Sequence, residues 1–154
     1  MKKKLWTLAL AFCLVSAMLP GGVFHAERAW AEDATSTTPT SVKIGGVELN
    51  RDKPYYVSGV ATNDANRNWT AKFEDGTLTL NGLNLTVRGD TAGIFANGDL
   101  VINLEGSSKI ETENLAIHAW SGNLTISGTG SLEAKNENTE SANSLIYAQG
   151  NIVI

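Results

Sequence analysis

The chain has 154 residues, a single cysteine and a formal net charge of −4, and 42% of its residues are hydrophobic. One cysteine forms no intrachain disulfide, which excludes a cross-linked mini-domain. The acidic balance makes nucleic acid and anionic membrane surfaces poor partners, and it suits solubility, cation binding or neutral glycans.

The chain opens with the grammar of a secretory signal peptide, expected over residues 1–31. Lys2, Lys3 and Lys4 form a positive start. Leu5 to Leu19 is apolar and is broken by Pro20-Gly21-Gly22. Ala29-Trp30-Ala31 places small residues at the −3 and −1 positions of a cleavage site. The apolar run is too short and interrupted for a membrane span of about 20 residues, so no membrane association is expected after cleavage near Ala31. Phe12 directly before Cys13 argues against lipoprotein processing. Cleavage would remove Lys2, Lys3, Lys4 and Arg28 from 12 cations and Glu27 from 16 acids. The 123 residues left would form one domain of net charge −7, with no cysteine. Its stability would rest on packing and backbone pairing.

Residues 32–41, Glu-Asp-Ala-Thr-Ser-Thr-Thr-Pro-Thr-Ser, have no large apolar residue to bury and read as a flexible polar linker. Residues 42–75 read as an N-terminal β capping section. Val42 to Leu49 is two short strands about Gly45-Gly46. Tyr55-Tyr56-Val57 is another, and Asn68 to Phe73 runs into Asp75-Gly76, a hairpin signal between alternating segments. Trp69 and Phe73 are expected to cover the apolar end of the repeats that begin at Gly76.

From residue 76 to 154 one phrase comes round four times. It reads Gly76-Thr77-Leu78-Thr79-Leu80, then Gly98-Asp99-Leu100-Val101-Ile102, Gly122-Asn123-Leu124-Thr125-Ile126 and Gly150-Asn151-Ile152-Val153-Ile154. Apolar residues alternate with Thr or Val, a strand signal, after turn residues. A second phrase is Gly93-Ile94-Phe95-Ala96, Ala116-Ile117-His118-Ala119 and Leu145-Ile146-Tyr147-Ala148. Its Ile is assigned inward, its variable residue outward and its Ala toward the corner. Leu85, Ile110 and Leu132 mark a third strand. Helix fails on the frequent Gly, Thr and Asn and on the missing i, i+3, i+4 spacing. A β-sandwich also has strands this close together, but it has no need for strands that resemble each other at coil length. The expected fold is all-β: a right-handed parallel β-helix, or β-solenoid, with Ile102 and Ile126 buried and stacked. The sequence stops on a core strand at Ile154, so further coils or a second chain are expected at that edge, and the sequence reads as truncated there.

The strings VKIGGVELN, YYVSG, TLTLNGLNLT, GIFANGDLVINLEGSSKI and GNLTISGTGSLEA resemble the repetitive β-helix segments of secreted bacterial surface proteins, often labelled carbohydrate-binding-domain-like. The likeness covers about residues 42–154. It implies a right-handed parallel β-helix shaped like the pectate lyases. Some relatives bind plant-wall polysaccharide with calcium, but no motif here matches their calcium ligands.

Two groups of residues are candidate sites. Phe95, His118 and Tyr147 hold one position in successive coils, which stack about 4.8 Å apart, so their rings would form an outer row against which sugar rings stack. Trp120, two residues after His118, would widen it. The plainer reading, which comes first, is a ladder that only joins coil to coil or packs against a further segment, with sugar binding as the alternative. Asp90, Glu113 and Glu140 precede the second phrase in three coils, with Asn138 and Asn143 as neutral oxygens nearby. They read as a solvated turn, with a calcium site as the alternative. Asn136 to Ser144 is the longest inter-strand stretch and is expected to be a variable or ligand-facing insertion. No catalytic residue emerges: His118 is the one histidine after residue 31, and Arg51, Arg67 and Arg88 sit in no acidic cluster. The expectation is therefore a secreted, non-catalytic surface module binding polysaccharide or cell-wall glycan, without a cofactor. A structural stalk or adhesin segment is the first alternative and a polysaccharide-lyase-like fragment the second.

Overall fold

A computed structural model describes residues 37–138 and 144–154. The signal peptide with its cleavage site, residues 32–36 and the candidates Glu140 and Asn143 lie outside the described residues. Those that are described form strands and turns, with no helix among them.

The coils begin with β6 (Thr77–Leu80), β7 (Asn84–Val87) and β8 (Ile94–Asn97). The second turn is β9 (Leu100–Leu104), β10 (Ser107–Thr112) and β11 (Ile117–Trp120). The third is β12 (Leu124–Gly128), β13 (Ser131–Asn136) and β14 (Ile146–Ala148), and β15 (Ile152–Val153) starts a further one. Like strands pair in parallel, coil on coil, giving three sheets and a β-solenoid of three turns. Sheet A holds β8, β11 and β14. Sheet B holds β6, β9, β12 and β15. Sheet C holds β7, β10 and β13.

Alternation inside each strand puts one set of side chains in a shared core. Leu78, Ile102 and Ile126 stack through sheet B, and Ile94, Ile117 and Ile146 through sheet A. Each fully buried Leu or Ile contributes about 1.5–3 kcal/mol of burial. The expected Ile102–Ile126 stack is present, and both residues are buried. Two polar residues enter the core with partners. The Ser108 hydroxyl accepts the Leu83 N–H at 3.1 Å, and Thr112 accepts the Asn114 N–H at 3.0 Å.

The lead-in strands are β1 (Ser41–Ile44), β2 (Val47–Asn50), β3 (Tyr55–Val57), β4 (Val60–Thr62) and β5 (Ala71–Glu74). β1 pairs antiparallel with β8, and β5 with β6, so the first-coil edge is occupied on two of the three sheets. The expected hairpin at Asp75-Gly76 is there. Both residues have positive φ, 47° and 78°, which is a type I′ turn that glycine enters without steric cost. β4 was not read from the sequence; it turns back from β3 through Ser58-Gly59, also at positive φ.

Four details of the sequence reading change. The first phrase is offset: Leu78 faces Ile102, not Leu100, and Leu80 faces Leu104. Gly76 is used in the hairpin turn, so β6 starts immediately after it, and a shift of two residues keeps the same side chains inward. In sheet C, Ile110 faces Ala134, while Leu132 faces Ser108. Ala96 and Ala119 lie in the core with their Ile neighbours instead of at the corner, because strand pairing continues through them. Finally, the polar linker is not free over its last residues. The Thr37 carbonyl accepts the Asp99 N–H at 2.9 Å, which satisfies a corner donor of the first coil, and Pro39 is buried.

Candidate functional site

The outer face of sheet A carries the aromatic residues. In β8 and β11, Ile and Ala point to the core, so Phe95 and His118 point out. Register then aligns Glu48, Lys43, Phe95, His118 and Tyr147 in one stripe across five strands. A second stripe beside it holds Asn50 and Ser41, then Asn97 and Trp120.

The rings stand one coil apart, as the repeat requires. His118 lies 5.3 Å from Phe95, 5.3 Å from Tyr147 and 5.5 Å from Trp120, centroid to centroid. They do not form a flat platform. His118 meets Phe95 at 83° and Tyr147 at 81°, both edge to face, because stacked faces of like quadrupole repel and a perpendicular neighbour presents its positive edge. Tyr147 is 40% exposed and Trp120 51%. Phe95 and His118 are half-buried.

Two concavities flank Phe95. One of about 340 Å³ is walled by Phe95 and His118, with Asp90, Thr91, Asn114 and Lys43 around it. The other, about 190 Å³, is lined by Phe95, Lys43, Thr40, Ser41 and Asn97. A third hollow, about 690 Å³, lies elsewhere, between residues 38–40 and the β5–β6 turn, and contains none of the candidate residues.

Of the acidic candidates, Asp90 and Glu113 are among the described residues. Asp90 lines the larger concavity, and its carbonyl accepts the Asn114 amide at 2.7 Å. Glu113 is engaged elsewhere: it accepts the Gly89 N–H at 2.7 Å and the Arg88 guanidinium at 3.1 Å. That backbone donor, and then Arg88, hold its carboxyl below the usual carboxylate range. Glu140 is outside the described residues. Among the described residues no three His, Cys, Asp or Glu side chains are placed to share a metal ion.

Burial pushes the His118 imidazole below its ordinary value. Its neutral form therefore belongs to the folded state. As pH falls below about 6.5, the unfolded chain takes up the proton first, so stability declines until the folded-state value is passed. The melting temperature should therefore drop between about pH 7 and 5 in the native chain. The drop should be smaller in His118→Gln, measured by circular dichroism.

The sequence reading found the aromatic row but missed Lys43, Ser41 and Asn97. Their placement depends on β1 pairing antiparallel with β8, a contact about 50 residues apart that no local pattern announces. The sequence matches no family model, and comparison with curated proteins and with solved structures found no match.

Proposed function

We propose that the chain is an exported, non-catalytic cell-surface module that holds carbohydrate on the outer face of sheet A. The contrast among the three faces of the coils carries this reading. Sheet C displays Lys109, Glu111, Glu133 and Lys135, whose charges answer one another, with Lys109–Glu111 at 2.7 Å. Sheet B displays Thr79, Val101 and Thr125. Among the described coil strands, those of sheet A alone carry aromatic rings, set beside hydroxyl and amide groups and the two concavities, whereas the rings of sheet B, such as Tyr55 with its neighbour Trp69, belong to the lead-in. Rings that cover apolar sugar faces, next to groups that bond their hydroxyls, are what a neutral glycan requires.

The edge-to-face packing favours a second reading, a stalk in which the row only joins coil to coil. Tyr147→Ala separates the two. For a glycan site it should weaken retention on insoluble polysaccharide by about 1 kcal/mol, the value of an aromatic contact beyond area burial, with the β-sheet spectrum unchanged. A stalk gives no retention in either protein.

A further inference from the structure

We infer that the smaller concavity beside Phe95 is an oxyanion subsite, taking a carboxylate, sulfate ester or phosphate ester carried by the glycan. The inference rests on the glycan reading above and names a substituent that the ligand bears.

The lining of this concavity is one-sided. Lys43 brings an ammonium, Thr40 and Ser41 bring hydroxyls, and Asn97 brings an amide, while Phe95 supplies the wall. No carboxylate lines it. The larger concavity across Phe95 differs in that respect, because Asp90 is on its rim. A site built from donors around a cation suits an oxyanion, whose lone pairs accept charge-assisted hydrogen bonds. A lysine ammonium offers three donors on a flexible stem, so it adapts to carboxylate, sulfate or phosphate alike.

Lys43 also departs from the pattern of the other strand lysines. Lys72 pairs with Glu74 at 2.7 Å, Lys109 with Glu111 at 2.7 Å and Lys135 with Glu137 at 2.6 Å. In each case the acid is two residues on, and for Lys72 and Lys109 it stands on the same face of the same strand. The corresponding place after Lys43 is Gly45, which has no side chain to answer it. Glu48 faces Lys43 across the β1–β2 pair, yet no ion pair joins them. Lys43 is thus an exposed cation with no close ion pair among the described residues, and it lines both concavities. The chain is acidic as a whole, but at physiological ionic strength charges beyond about 8 Å are largely screened, so the local donors decide what binds.

The test compares retention on an insoluble neutral β-glucan with retention on the same glucan bearing carboxylate or sulfate ester groups. The native chain should prefer the charged forms by about fivefold, the upper value of an exposed ion pair. Lys43→Gln should remove that preference, read as the ratio of retention on charged to neutral glucan. Tyr147→Ala should lower retention on all of them in parallel. Which charged form is held better identifies the substituent. Equal retention of charged and neutral glucan by the native chain, or a preference that survives Lys43→Gln, overturns the subsite. If no glucan is retained, the glycan reading falls on these probes and inorganic sulfate decides the subsite. Amide shifts at Ser41, Lys43 and Asn97 that vanish in Lys43→Gln uphold it, and their absence overturns it.

Discussion

Ile102→Ala should destabilise the chain by about 4 kcal/mol, within the range measured when a buried Ile or Leu is cut to Ala. Ile102 is fully buried and sits mid-stack, with Leu78 one coil below and Ile126 one coil above. Its neighbours cannot close the gap. They hang from strands fixed about 4.8 Å apart by backbone ladders on both sides, so the cavity stays open. Because the stack spans three coils, the loss should loosen the whole solenoid instead of one strand. Val101→Ala, next door but outward, is the control and should change stability by no more than about 0.5 kcal/mol. Urea unfolding followed by circular dichroism measures both. A loss below about 1 kcal/mol in Ile102→Ala would mean that the stack is not the core.

Gly122→Ala should cost about 3 kcal/mol, the upper end for overpacking, and lower the melting temperature by roughly 10 °C. Gly122 lies at the corner between sheets A and B, where the second coil passes into the third. A Cβ there would fall on the carbonyl of Gly98 and lie 2.5 Å from the Asp99 nitrogen. Both obstacles are backbone, so no rotamer change relieves the overlap and the coils must part. Parting them strains the hydrogen bonds that cross the same corner. Asp99 accepts the Asn123 N–H at 2.7 Å and its side-chain amide at 2.9 Å, and Asn123 accepts the Asn151 N–H at 2.8 Å. Gly59→Ala is a useful contrast. A Cβ there meets nothing within 4 Å, and its cost should come only from the positive φ of 87°. Equal melting temperatures for Gly122→Ala and the native chain would refute the close approach.

Much of this architecture is legible because the rules that produce it are local. Alternation along a strand decides which side chains face inward, and turn residues decide where a strand stops. Leu78, Leu100, Leu124, Ile94 and Ile117 could be assigned to the core from period two alone, and Asp75-Gly76 from its turn chemistry. The aromatic row was legible for a related reason. Phe95, His118 and Tyr147 occupy one place in a repeated phrase, and coils of one shape stack like on like.

The local rules say nothing of the alignment between strands. Coil lengths differ, with partners 24 residues apart from Leu100 to Leu124 and 28 apart from Leu124 to Ile152, so register depends on how each corner is built. For that reason the first phrase aligned two residues off. The bonds from Arg88 and Gly89 to Glu113 were hidden for a similar cause, since a hydrogen bond of that kind depends on three-dimensional proximity. Ring orientation was equally hidden: quadrupole contacts turned the rings perpendicular once the repeat had brought them within reach.

By itself, then, the sequence determined an all-β chain of stacked coils, its inward residues and the membership of the aromatic row, because each follows from alternation and repetition along the chain. Tertiary structure alone decided the register between coils, the burial of Ala96 and Ala119, and the pairing of β1 with β8 that brings Lys43 opposite Phe95. Those features come from hydrogen-bond ladders between segments distant in sequence, whose alignment is fixed by the geometry of the corners and by packing in the shared core.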